Sequence, residues 1–214
     1  MNMPALDVKP TRTELLGIKK KIAISESGYD LLKIKMEGLI MSFFKIMDEA
    51  KVLRRNLGLM HDEARQNITI ASTVEGALAV KTASFALSKH PEVSVSSRNI
   101  MGVTVPVIQG TAVRRKLEER GYGIIGTSPY ISDAARSYEK LLELIIKAAE
   151  TETTLKKLLD EIERTKRRVN ALEFRVIPQL KEAERFIELR LEEMERENTF
   201  RLKKIKTKRE AQAA

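Results

Sequence analysis

The chain has no cysteine and no tryptophan, only two histidines, and aromatics make up 5% of its 214 residues. Lack of cysteine removes disulfides, thiolate metal sites, iron–sulfur ligation and a cysteine nucleophile together, and gives no sign of an oxidising compartment. Two histidines are too few for a multi-histidine metal centre. No apolar run approaches the roughly 18 residues needed to span a bilayer. Residues Met1 to Pro10 lack the apolar core with basic flanks of a secretory signal, so the expectation is a soluble cytoplasmic protein. What is abundant is charge. Charged residues make up 32% of the chain, with 39 Lys+Arg against 30 Asp+Glu and a net charge of +9. An ordinary domain has about 25%, so this one is rich in surface and poor in large core-filling side chains.

The first long pattern runs over 11–73. Thr11, with Glu14 three residues on, fits a capping box and marks a helix start just after Pro10. Apolar positions then recur in alternating steps of three and four: Leu15, Ile18, Ile22, Ser25, Tyr29, Leu32, Met36, Leu39, Phe43, Ile46, Ala50, Leu53, Leu57, Met60, Ala64, Asn67 and Ala71. Only Ser25 and Asn67 break the series. A seam sustained over this length predicts a coiled coil.

A second long segment, 132–206, continues the seam through Tyr138, Leu141, Ile145, Ala148, Leu155, Leu159 and Ile162. Beyond it an 11-residue spacing fits better, with Leu158, Val169, Leu180, Leu191 and Leu202 in one row and Leu172, Ala183, Met194 and Ile205 in another. Pro178 lies inside this pattern and is expected to kink the helix. Residues 207–214 read as a flexible tail.

The stretch between, 74–131, differs in kind. Glu92–Arg98 and Met101–Ile108 are rich in β-branched residues and predict a hairpin turning near Asn99, with Pro106 on an edge strand. A short amphipathic helix is expected over 111–120, then a glycine loop over 121–126. The fold class is therefore mainly α: a long intramolecular antiparallel two-helix coiled coil with a small β-hairpin and short-helix insert. At 1.5 Å per residue the helices would be about 90 Å and about 110 Å long, a rod with a small head. Because the seam lies outside it, the hairpin is expected to be dispensable for the helix pair.

No motif carries chemistry. Gly121-x-Gly123-x-x-Gly126 matches a dinucleotide fingerprint by letter, but lacks the preceding strand and following helix, so it reads as a structural loop. No Walker-type phosphate loop occurs. His61 and His90 have no partner at ligand spacing. Asn67-Ile-Thr69 is a glycosylation sequon without a signal sequence. Glu192, Glu193 and Glu195, interleaved with arginine, read as solvated ion pairs. No catalytic, cofactor-binding or metal-ligating residue is assigned, no cofactor is expected, and the chain is not expected to be an enzyme.

Arg201, Lys203, Lys204, Lys206, Lys208 and Arg209 form a basic cluster with no acid among them. Such a cluster can bind nucleic acid, anionic lipid or an acidic protein surface, or merely solubilise a helix end. A basic coiled-coil protein associated with nucleic acid is one alternative reading. A helical adaptor that captures partner helices along its seam is another.

The residues that decide between these readings lie in the two helices. The second contains Arg168-Val-Asn-Ala-Leu-Glu173, Val176-Ile-Pro178 and Glu193-Met-Glu-Arg-Glu-Asn-Thr-Phe-Arg-Leu-Lys-Lys-Ile-Lys206. The first opens Pro10-Thr-Arg-Thr-Glu-Leu15 and continues Tyr29-Asp-Leu-Leu-Lys-Ile-Lys35. Together they closely resemble the D subunit of the V-type and A-type rotary ATPases. The resemblance implies a non-catalytic central-stalk rotor that couples ATP synthesis or hydrolysis to ion translocation. It implies a coiled coil inside the ring of alternating A and B subunits, pairing with the F subunit, and a link through the C subunit to the membrane rotor ring. Both chain ends would lie in the hexamer, the insert toward the membrane, and the whole on the cytoplasmic face as a peripheral component. Neither nucleic acid nor a small-molecule ligand is expected as a partner.

Overall fold

The computed structural model describes residues 9–86, 92–110, 113–114, 120–122 and 127–213. In chain order the elements are helix α1 (Arg12–Glu75), helix α2 (Ala77–Phe85), strand β1 (Val93–Ile100), strand β2 (Val103–Gly110), helix α3 (Pro129–Ala171), a π-helical turn (Leu172–Val176) and helix α4 (Ile177–Ala213). The chain is mainly α with one small antiparallel sheet, as the periodicity predicts. Two compact units divide it, one of residues 1–37 with 163–214 and one of residues 38–162, and α1 runs through both.

Helix α1 begins where the capping residues place it. The Glu14 amide donates to Thr11 Oγ1 at 3.2 Å and the Leu15 amide to the Thr11 carbonyl at 3.0 Å. Each α1 seam position named above, Ser25 and Asn67 included, is buried or half-buried.

In the first unit, Ile18 and Ile22 of α1 pack with Ala183 and Ile187 of α4, flanked by Leu15, Leu180 and Leu191. Full burial of an isoleucine such as Ile187 contributes about 1.5–3 kcal/mol. Three ion pairs border this seam: Arg12–Glu195, Lys19–Glu188 at 2.8 Å and Glu26–Lys181 at 2.7 Å. Each step of one heptad up α1 is one heptad down α4, which fixes the pair as antiparallel and in register.

Pro178 is accommodated by the turn before it. In an α-helix its ring would meet the carbonyl four residues back, that of Phe174. Over Leu172–Val176 the helix widens to a π turn instead, closed by the Ile177 amide donating to the Leu172 carbonyl.

In the second unit, α1 and α3 pack around Ala71, Ile131 and Ala134, with α2 laid on through Ala79, Val80 and Ala83. Helix α2 is not anticipated by the sequence pattern. Gly76, at φ 86°, separates it from α1. Asn67, the apparent break in the α1 seam, donates through Nδ2 to Ser137 Oγ at 2.6 Å, and that hydroxyl donates in turn to the Asp133 carbonyl.

The α3 seam differs from the expected one. Tyr138, Ile145 and Leu159 face solvent, while Ser137, Thr154 and Thr165 are buried, as is Leu158 of the 11-residue row. Further along, Met194, Leu202 and Ile205 of the 11-residue rows are exposed. The helix also continues through Lys208 and Arg209 to Ala213, past the end expected at 206.

The hairpin turns two residues later than expected. Met101 and Gly102 form its tip at φ 51° and 87°, as a two-residue primed turn requires, and the Gly102 amide donates to Asn99 Oδ1 at 2.7 Å. The hairpin is not a bystander. Val103 and Val105 are buried against Leu39 and Leu158, with Phe43, Ile46, Ile100 and Ile162 around them. Gly38 of α1 leaves the notch for Met101, since a Cβ there would lie 2.4 Å from the Met101 methyl carbon. The hairpin is thus part of this unit's core, which the expectation of its dispensability for the helix pair leaves out of account.

Candidate interaction surfaces

Among the described residues no group of His, Asp and Glu can hold a metal ion. His61 is exposed beside Asp62, and His90 lies outside the described residues. Of the glycine motif, Gly121 has a structural reason to be glycine. It sits at φ 76°, and a Cβ would lie 2.4 Å from the Ala86 carbonyl oxygen. Gly123 and Gly126 lie outside the described residues, as does most of the short helix expected over 111–120.

The described parts of that segment are clasped by α3. Arg120, only 3% exposed, donates to Glu139 Oε2 at 2.9 Å, to the Ser132 carbonyl at 3.1 Å and to the Tyr122 hydroxyl at 3.3 Å. Burial opposes its charge, but the Tyr122 hydrogen bond and the Glu139 carboxylate outweigh that, and its pKa lies above the ordinary value. One turn further, Glu143 accepts from Arg114 at 3.3 Å. Glu150 and Lys157 continue this face, accepting from the Ile108 amide and donating to the Thr104 carbonyl. Helix α3 thus has a seam for α1 and a second, polar face that holds the insert.

The C-terminal part of α4 is exposed throughout residues 192–211. Beyond the Arg12–Glu195 contact, Phe200, Leu202 and Ile205 are 70%, 67% and 51% exposed. They alternate with the basic cluster. Arg201 pairs with Glu197 and Lys206 with Glu210 on the same helix, while Lys203, Lys204, Lys208 and Arg209 have no ion pair among the described residues. At the base of this segment Arg12, Leu15, Leu16, Glu188, Leu191, Glu192 and Glu195 line an open groove of about 520 Å³. Glu192 and Glu195 form ion pairs with Arg196 and Arg12, as solvated carboxylates do.

A further feature is not apparent from the seam alone. Helix α1 carries apolar side chains on its outer side as well. Ile24, Leu31 and Ile34 are exposed in the first unit, and Met41, Phe44, Val52 and Leu59 in the second. Their signal in the sequence is a set of heptad steps, Ile24 to Leu31, Ile34 to Met41 and Val52 to Leu59. Exposed apolar residues of this kind are candidates for an interaction surface.

Residues 14–207 match the protein family described as the ATP synthase D subunit. The A-type ATP synthase D subunit of Methanosarcina acetivorans is 56% identical over 206 residues, which are 96% of this chain and 99% of that protein. That of Methanococcoides burtonii is 57% identical over 95% of this chain and 99% of its own length. That of Haloarcula marismortui is 52% identical over 95% of this chain and 89% of its own.

Proposed function

This chain belongs to the ATP synthase D-subunit family and is a component of a rotary ATPase, and we propose that it is the non-catalytic rotor of the central stalk. In this reading it couples ATP synthesis or hydrolysis in a ring of A and B subunits to ion translocation in the membrane. It pairs with the F subunit and reaches the membrane rotor ring through the C subunit. It sits peripherally on the cytoplasmic face. Among the described residues no helix is long and apolar enough to cross a membrane.

The observation that carries the reading is the family match over residues 14–207, which takes in both long helices and the insert between them. The physical character of the chain agrees with it. A rotor must transmit torque without unfolding, and paired helices in register resist that load. It must also turn against its surroundings without locking. The four unpaired cations at the end of α4 suit such contacts, because exposed charges interact weakly and exchange easily. Coupling then follows from asymmetry: each angle of the rotor favours a different conformation at each of several equivalent catalytic interfaces.

The test is co-expression with the A, B and F subunits, followed by electron microscopy of the purified complex. Density for this chain on the axis of the A/B ring, with the end of α4 inside it, is the expected result. A chain bound at the ring's periphery would overturn the reading.

A further inference from the structure

The two edges of the β1–β2 sheet are finished differently. On β2, the backbone groups that point away from β1 belong to Thr104, Pro106 and Ile108. The Thr104 carbonyl accepts from Lys157 at 3.1 Å, Pro106 has no amide to offer, and the Ile108 amide donates to Glu150 at 3.3 Å. Three outward groups of that edge are thus unavailable to another strand. Across the ladder Asn99, Ser97 and Val95 stand opposite these three residues. By the alternation of an antiparallel pair, their amides and carbonyls point outward from β1. No strand pairs with them among the described residues, and all three are exposed.

The β1 edge carries few of the usual protections, Arg98 being its one charged side chain. Between Val93 and Ile100 there is no proline and no lysine, and the register runs without a bulge. An open, regular edge is a template for another strand. Its side chains are just as accessible. Val95 is 67% exposed, Val93 lies beside it on the same face, and Arg98 is exposed with no ion pair among the described residues.

We propose that the outer edge of β1 docks an extended segment of a partner polypeptide, with apolar side chains beside Val93 and Val95 and an acidic residue beside Arg98. Main-chain hydrogen bonds to Val95, Ser97 and Asn99 supply the binding, and the flanking side chains supply the selectivity. The unpaired charge of Arg98 argues for an acidic partner strand. A second copy of β1 meets that need poorly, since Val93–Ile100 contains no acid. The inference stands on the sheet edge and does not rest on the rotor reading.

Residue-resolved amide hydrogen exchange tests it on the full chain, alone and in the assembled enzyme. On assembly the Val95, Ser97 and Asn99 amides should exchange about 10-fold or more slowly. Those of Ser96 and Arg98, which point toward β2, should hardly change. Ser97→Pro copies Pro106 onto the opposite strand and removes an outward amide without breaking the ladder. It should abolish the slowing at Val95 and Asn99 while Ser96 stays protected. If that variant loosens the hairpin, Arg98→Glu, which leaves the ladder intact, should cut the slowing instead. No slowing on assembly, equal slowing at odd and even positions, or unchanged slowing in Arg98→Glu would overturn the proposal. So would slowing that grows with concentration in the isolated chain, which would assign the edge to a second copy.

Discussion

Lys19 Nζ lies 2.8 Å from Glu188 Oε1, one heptad beyond Arg12–Glu195 and one heptad before Glu26–Lys181. The contact raises the Lys19 pKa from 10.5, first through its hydrogen bond to Glu188 and then through the charge of that carboxylate. A raised lysine pKa stabilises the fold below its ordinary value, and that stabilisation is lost as pH rises through the folded value. Unfolding curves from about pH 9 to about pH 12 should show a loss that is reduced in Lys19→Gln. Because the pair is exposed, the effect should be small and screened by salt. Lys19→Glu and Glu188→Lys should each lower the melting temperature, and their combination should restore most of it.

Arg120 and Glu139 form a different kind of pair, since both side chains are largely buried. Removing one member leaves a charge without its partner. Glu139→Gln or Arg120→Met should destabilise the second unit by on the order of 3 kcal/mol, read from denaturant unfolding. A loss below about 1 kcal/mol would show that solvent reaches the pair.

Leu39 and Leu158 are fully buried where the hairpin lies on the helices. Leu39→Ala should cost about 2–5 kcal/mol. Deleting Glu92–Ile108 should destabilise the second unit, because Val103 and Val105 leave with it. A melting temperature unchanged by that deletion would show that the hairpin adds nothing to the core.

Gly38→Ala should be close to neutral. The helix gains up to about 1 kcal/mol in propensity, and the atom displaced is the flexible end of Met101. Gly38→Leu should dislodge the hairpin tip, visible as a shift of the Met101 methyl resonance toward that of an exposed methionine.

Pro178→Ala should stabilise the helix by well under the ~3 kcal/mol of an ordinary helical proline, because the π turn already accommodates the ring. The turn should persist, since Ala183 and Ile187 are held by Ile18 and Ile22 in the phase that it sets. A hydrogen bond from the Ile177 amide to the Leu172 carbonyl, detected by NMR in the variant, checks this.

Helix α1 is legible because its seam is written in apolar residues at one constant period. Helix α3 is less so. Its buried positions include Ser137, Thr154 and Thr165, which read as polar, while Tyr138, Ile145 and Leu159 read as core and turn outward. Only the Asn67–Ser137 hydrogen bond shows that two polar letters belong to one seam. The docking of the hairpin brings together Gly38 and Met101, far apart in sequence, and no local pattern links them. The basic cluster is plain as charge. The exposure of Leu202 and Ile205 is not, because it follows from where α1 begins opposite α4. Residues 93–110 announce a hairpin through their β-branched content, but the open edge of β1 emerges only once Lys157 and Glu150 are seen closing the other.

In the rotor reading, this chain turns relative to the ring that hydrolyses ATP. Because it has no cysteine, a single one introduced at exposed Lys81 on α2 can carry a bead while the A/B ring is fixed to a surface. On adding ATP the bead should rotate in one direction in discrete steps, at a rate that tracks hydrolysis. A bead that stays at a fixed angle while the same complexes hydrolyse ATP would contradict the account.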